Sequence, residues 1–255
     1  MIITKSNVLL GLTPTISVGA SANDEKNLTD PDFSTSYISS NQSQLVANFG
    51  AIGNISYVAV AGINVAASNN QGGITVLDGS TVIKTNFIVR NNCVVITFDT
   101  RTFTELNIKL FNQNASSNPQ CHFMAAGLHF EVPNSGETSG YNRQFLNRNF
   151  KNKTATNESA APTAVLRNKV SAKGTLKLPN VTKAFSENEW QDFLDFAFYN
   201  YFFIRENDGD ILSETTVVNQ SAYLCYEISK NTVTAHSSTR ALNDINVNFK
   251  VFNGL

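Results

Sequence analysis

Turn-forming and oxygen-bearing side chains, two carboxylates among them, crowd the stretch from Leu28 to Tyr37, in the run Leu-Thr-Asp-Pro-Asp-Phe-Ser-Thr-Ser-Tyr. Asp30 and Asp32 lie two residues apart, with the Thr35 hydroxyl three further on. Such a set can converge on a hard cation, or it can tie down a turn through side-chain to backbone hydrogen bonds, and the spacing admits both. Imidazoles are limited to His122, His129 and His236. His122 and His129 are seven residues apart in a strand-like stretch, which puts them on opposite sides of a regular strand, and His236 sits among serines and threonines. Asp208 and Asp210 flank a turn glycine, and Asp192 and Asp195 are three apart on a helix, so turn-forming and solvating roles account for both pairs. The sequence has no Gly-x-Ser-x-Gly elbow, phosphate-binding glycine loop or dinucleotide fingerprint, so no catalytic residue is assigned and the expectation is a protein that is not an enzyme.

The elements that would position these groups are mostly strands. Up to about residue 132, short apolar runs are punctuated by Gly and Asn: Tyr57–Val60, Ile74–Leu77, Val82–Val89, Val94–Phe98, Leu106–Phe111 and Phe123–Val132. Leu106, Ile108 and Leu110 alternate with Asn107 and Lys109, one face inward and one toward water. Val94-Val95-Ile96 does not alternate, which predicts a central strand covered on both sides. Gln71-Gly72-Gly73 and Asp78-Gly79-Ser80 read as hairpin turns.

From residue 133 to 162 aliphatic residues thin out, and Arg143, Arg148, Lys151 and Lys153 gather among Tyr141, Phe145 and Phe150. The stretch reads as a solvated connector or as an arm whose rings dock on a neighbouring subunit. Beyond it, strands are expected over Val165–Leu178, Ala222–Ile228 and Asn246–Phe252. One amphipathic helix is expected, opened by a capping box at Ser186-Glu187-Asn188-Glu189 and burying Trp190, Phe193, Leu194, Ala197 and Tyr201. Phe198, Tyr199 and Phe202 exceed what one buried helix face needs, which fits core packing against a second sheet or a subunit interface, and so they stand as interface candidates beside Tyr141, Phe145 and Phe150. The fold class is mainly β: an N-terminal β-sandwich over 1–132, a connector arm over 133–162, and an α+β unit over 163–255.

Composition narrows the partners. Hydrophobic residues make up 42% and charged ones 15% with net charge −1, so the surface is weakly charged and has no basic stripe for nucleic acid. The 33 asparagines supply neutral polar surface and turns. Cys93, Cys121 and Cys225 are odd in number and widely spaced, two of them in apolar runs, and read as buried free thiols rather than a disulfide or zinc set. No run is long enough to span a membrane, and Val8–Leu12 is too short for a secretory leader core.

The Asp-x-Asp-x-x-Thr-x-aromatic order at Asp30–Tyr37, followed by the strand Gln44–Phe49 and Gly50, resembles the opening of the galactose-binding-like (discoidin, F5/8 type C) jelly-roll family. The resemblance implies a jelly roll in the first half. It also implies a calcium loop at Asp30, Asp32 and Thr35, completed by a Glu from the last strand, where this chain has Ala126-Gly127-Leu128 with Glu131 a few residues on. A carbohydrate-binding module of that family would take its sugar at loops, with Phe33, Tyr37, Asn69, Asn70 and Gln71 as the candidates here. The overall character is similar to that of tailed-bacteriophage virion proteins. That likeness implies a non-enzymatic structural role in a virion assembled in the host cytoplasm. It further implies a symmetric homo-oligomer with other virion proteins and a host surface glycan as partners, with glycan-binding adhesion as the alternative.

Overall fold

The computed structural model describes residues 1–30, 32, 34–65, 72–88, 93–112, 118–133, 150–156, 162–169, 172–206, 217–218, 222–235 and 241–252. The chain is mainly β, arranged in four layers. The outermost layer is a six-stranded sheet in the order β17-β7-β6-β9-β4-β2. It comprises β2 (Thr15–Val18), β4 (Gln44–Asn48), β6 (Gly72–Asp78), β7 (Thr81–Ile88), β9 (Leu106–Asn112) and β17 (Val217–Val218), the last of these parallel to β7. Next comes a three-stranded antiparallel sheet of β11 (Phe123–Gly127), β5 (Ile52–Ala61) and β8 (Cys93–Phe103). Apart from β17, which joins from the later part of the chain, these two layers form the expected N-terminal sandwich.

The third layer is another six-stranded sheet, ordered β12-β1-β16-β18-β19-β15. Its strands are β1 (Ile2–Thr4), β12 (His129–Glu131), β15 (Ala172–Thr182), β16 (Phe202–Arg205), β18 (Ala222–Ala235) and β19 (Leu242–Val251). The fourth is a helical layer, α1 (Lys183–Glu187) and α2 (Glu189–Tyr199). Two small pairs stand apart: β3 (Tyr37–Ile38) with β10 (Gln120–Cys121), and the hairpin β13 (Phe150–Thr156) with β14 (Pro162–Lys169). No helix among the described residues is long and apolar enough to cross a membrane.

Period-two alternation decides which core each residue enters. Val58, Val60, Val94, Ile96, Met124 and Ala126 face the outer sheet and pack on Leu45, Ile74, Val76, Ile108 and Leu110. Tyr57, Ala59, Ala61, Cys93, Val95, Phe123 and Ala125 face the other way, against Phe203, Ala222 and Leu224. Val94-Val95-Ile96 is therefore covered on both faces as expected, although β8 lies at the edge of its sheet in the pairing order rather than at its centre. The small side chains of Ala59, Ala61, Ala125 and Ala222 leave room there for the stacked rings of Phe123 and Phe203, whose centroids are 6.2 Å apart at an interplanar angle of 9°.

Ile2–Thr4 and His129–Glu131, the two ends of the stretch read as the first unit, belong to the third layer. The run Phe123–Val132 breaks at Leu128, whose N–H donates to Ser6 Oγ at 2.7 Å while its carbonyl accepts from Lys5 N at 2.8 Å. These bonds turn the chain out of the sandwich and pair β12 with β1. The expected strand Val165–Leu178 is likewise divided between β14 and β15. Gly72 and Gly73 lie inside β6, pairing with Asn112 and Phe111, rather than forming a turn. Asp78-Gly79-Ser80 does turn, with Gly79 at φ +58°.

The helical layer differs from its expected form at one end. Ser186 lies inside α1, donating to the Lys183 carbonyl at 2.8 Å and accepting from Asn243 Nδ2 at 2.5 Å, so no capping box forms. The side-chain cap is Thr182, whose hydroxyl accepts from Phe185 N at 3.2 Å. Glu189 instead forms a 2.5 Å ion pair with Lys5. Trp190, Phe193 and Ala197 are buried as expected, whereas Tyr201 lies beyond the helix end. All three cysteines are free and buried, and desolvation pushes the Cys121 thiol up to about 12.

Candidate functional site

The acidic loop forms first from its own backbone. Asp24 caps a 3-10 turn over Glu25–Leu28 by accepting from Lys26 N at 2.9 Å, and fully buried Leu28 pins that turn to the sandwich core. Asp30 Oδ1 then accepts from Asp32 N at 3.0 Å, and Asp32 Oδ1 from Ser34 N at 2.9 Å. The Thr35 hydroxyl donates to the Asp32 carbonyl at 2.9 Å. Each carboxylate thus holds the amide two residues on, the side-chain to backbone use of these oxygens. The bonds from Ser34 hold the Asp32 carboxyl below the usual carboxylate range. Among the described residues no three His, Cys, Asp or Glu side chains gather at metal-ligand distance. Glu131, the acid nearest to the family's last-strand Glu in sequence, pairs in register with Ile2 in the third layer.

Tyr37, a glycan candidate on sequence grounds, is fully buried. Its hydroxyl donates to the Gly19 carbonyl at 3.2 Å and accepts from Ser21 N at 2.9 Å, so the ring braces the loop from beneath and offers no face to a ligand. Phe33, Asn69, Asn70 and Gln71 lie outside the described residues, as do Tyr141 and Phe145. Phe150 begins β13. Phe202 is 1% exposed because β16 turns it into the core beneath α2, against Phe193 and Phe249, which removes it as an interface candidate. Phe198 and Tyr199 remain on the surface.

Beside the acidic loop the structure gathers groups that the sequence pattern leaves scattered. Gln120 Nε2 lies 2.9 Å from Ser36 Oγ and 3.1 Å from His122 Nε2. The Gln120 backbone N–H donates to Asn64 Oδ1 at 2.7 Å, Asn64 Nδ2 donates to the Asn118 carbonyl at 2.9 Å, and Asn118 Nδ2 donates to the Ser39 carbonyl at 2.7 Å. His122 leans over Gly62, whose φ of +67° and missing Cβ admit the imidazole. The buried His122 Nδ1 has no hydrogen-bond partner among the described residues.

From buried Phe123, next to His122 in the chain, a row of rings runs outward through partly buried Tyr201, Tyr226 and Phe252. Phe123 and Tyr201 have centroids 6.4 Å apart, Tyr201 and Tyr226 5.8 Å, and Tyr226 and Phe252 6.4 Å. Lys250 Nζ stands 5.9 Å over the Tyr226 ring and pairs with Glu227 at 2.5 Å. Burial, then Tyr226, then the charge of Asp32 raise the Tyr201 hydroxyl above its ordinary value. Tyr226 follows Ala222 and Leu224 on the face toward the sandwich, and Glu227, at φ +51° in a bulge, sets the strand's bend there. That alternation could have singled out Tyr226 as the ring that continues a buried face toward its edge.

Among the described residues Ser56 and His129 are the one close hydroxyl and imidazole pair, with Ser56 Oγ 2.8 Å from His129 Nδ1. The same oxygen also accepts the His129 backbone N–H at 3.1 Å, so it clasps β5 to β12. Desolvation, then the Arg205 charge, lower the His129 pKa.

No family model matches the sequence, and no curated protein sequence matches it significantly. Solved structures do align with about half of the chain. A chitosan-binding module from a chitosanase/glucanase of Paenibacillus sp. IK-5 aligns at 18% identity over 48% of this chain and 98% of that one, with a TM-score of 0.39. A Streptococcus pneumoniae fucose binding module aligns at 12% identity over 48% and 94%, with a TM-score of 0.35. A Ruminococcus gnavus fucosidase in complex with fucose aligns at 12% identity over 50% of this chain and 27% of that one, with a TM-score of 0.39.

Proposed function

We propose that the chain is a carbohydrate-recognition module that uses the edge formed by Asp32, Ser36, Gln120, His122, Tyr201 and Tyr226. One observation supports the reading: Ser36, Gln120 and His122 bond to one another a few residues from the acidic loop, and Phe123, next to His122 in the chain, leads into the partly buried rings of Tyr201 and Tyr226. A sugar presents C–H faces that pack on a ring and hydroxyls that both donate and accept, so this mixture suits it. The reading rests on these residues and not on the binding properties of the neighbours named above. A glycan array followed by calorimetry tests it. Tyr201→Ala and Gln120→Ala should each weaken the best hit by about tenfold or more. Failure of every arrayed glycan to bind, or an affinity unchanged in Tyr201→Ala, sinks it.

A second reading, a structural subunit of a tailed-bacteriophage particle assembled in the host cytoplasm, draws support from the exposed Phe198 and Tyr199 as an assembly surface. Mass spectrometry of purified particles from a phage encoding the chain checks it, and absence of the chain from the particle counts against it.

A further inference from the structure

Charge is divided unevenly along the chain. Residues 143–169 hold Arg143, Arg148, Lys151, Lys153, Arg167 and Lys169, six of the 19 cationic residues, with Glu158 as their single acid, which leaves the remainder at a formal −6. Four of the six cations lie on the strands of the β13–β14 hairpin, at Lys151, Lys153, Arg167 and Lys169, and these strands carry no acid. Among the described strands β13 and β14 pair only with each other. A two-stranded hairpin alone is marginal in water and gains most of its stability from a surface to lie on.

The outer stripe of α2 offers a surface of the opposite kind. Asp192, Asp195, Phe198 and Tyr199 are all exposed, and their three- and four-residue spacing lines them up along one side of the helix. Phe198 is 72% and Tyr199 83% exposed, with their rings edge to face and centroids 4.8 Å apart. The neighbouring acids Glu187 and Glu189 are already paired with Lys183 and Lys5, whereas Asp192 and Asp195 meet no cation among the described residues. Two acids followed by two exposed rings call for a partner carrying both cations and apolar groups.

We infer that the α2 stripe Asp192, Asp195, Phe198 and Tyr199 docks the β13–β14 hairpin of a second copy of this chain. By register, Lys151 and Lys153 share one face of the hairpin with Leu166, and Arg167 and Lys169 share the other with Phe150 and Val165, so each face combines cations with apolar residues, the complement of the stripe. This deepens the assembly reading above and is independent of the glycan reading, since it uses another face of the molecule.

Sedimentation velocity of the full chain tests the inference, with circular dichroism confirming that each variant folds. The wild type should self-associate at about 100 μM in low salt, and less as salt shortens the screening length. Asp192→Lys with Asp195→Lys, or Lys151→Glu with Lys153→Glu, should weaken association by about tenfold or more, and mixing the two double variants should restore it between unlike copies. Phe198→Ala with Tyr199→Ala should weaken it without altering the salt dependence. A wild type that stays monomeric throughout overturns the inference, as does a mixture that fails to regain association. A monomer in which the combined reversals restore a melting temperature lowered by either alone would assign the hairpin to its own helix, also overturning the second copy. Glycan binding measured on the same variants separates this outcome from the fate of the carbohydrate reading.

Discussion

The core between the two sandwich sheets and the core beneath the helices are built from different side chains. Leu45, Val58, Val60, Ile74, Val76, Val94, Ile96, Ile108 and Leu110 fill the first. Phe130, Trp190, Phe193, Phe202, Tyr223 and Phe249 dominate the second. Two pleated sheets lie at a uniform spacing of about 10 Å, which branched aliphatic side chains fill from both faces. A helix over a twisted sheet leaves wedge-shaped gaps at its sides, and large rings set edge to face fill them: Phe193 meets Phe202 at 84° and Phe130 meets Trp190 at 82°. The aliphatic core distributes its stability over many small contacts, and the aromatic one concentrates it in a few rings.

Truncation should expose that contrast. Trp190→Ala removes a fully buried ring that also donates to Asn231 Oδ1 at 3.2 Å, and should cost about 3–5 kcal/mol in urea unfolding. Ile96→Val in the aliphatic core should cost only about 1 kcal/mol, and equal losses at the two sites would break the distinction. At the start of the helical layer, Thr182→Ala should cost about 1 kcal/mol through loss of the cap to Phe185. Ser186→Ala, by contrast, should act through Asn243, so that combining it with Asn243→Ala adds little further loss.

The smallest expected effect lies at the clasp between β5 and β12. His129 has a folded-state pKa below its ordinary 6.5, because burial and Arg205 disfavour the imidazolium. The unfolded chain therefore binds its proton first as pH falls. Stability contributed by neutral His129 is full above about pH 6.5 and is lost as the pH drops from there through the lower folded value. His129→Gln should flatten that part of a melting temperature against pH curve. An unchanged slope would mean that other groups govern it.

How much of this was legible in the sequence depended on whether the determinant was local. The alternation of Leu106, Ile108 and Leu110 reported their burial, since period two is a property of the strand itself, although Asn107 on the other face is buried too. Val94–Ile96 disclosed two covered faces in the same way. Phe202 was left open between core and interface, because its excess over a single helix face takes on meaning only once β16 is seen to slide beneath α2. The capping box failed because Asn243, far along the chain, claims the Ser186 hydroxyl. Tyr37 was a ligand candidate through the family resemblance, and what the resemblance could not show is its place in the sandwich core, with its hydroxyl held by Gly19 and Ser21, 18 and 16 residues away. Gln120, His122, Tyr201 and Tyr226 were not assembled at all, since they come from different layers and share no spacing.

The placement of Ile2–Thr4 between β12 and β16 governs when the molecule can be completed. On a translating ribosome Ile2–Thr4 emerges long before Phe202–Arg205, one of its two flanking partners, so that side of its backbone stays unpaired until the later strand is made. Nascent chains stalled before Phe202 should hold a protected sandwich while the amides of residues 2 to 4 still exchange freely, and release past that point should close them together with the third layer.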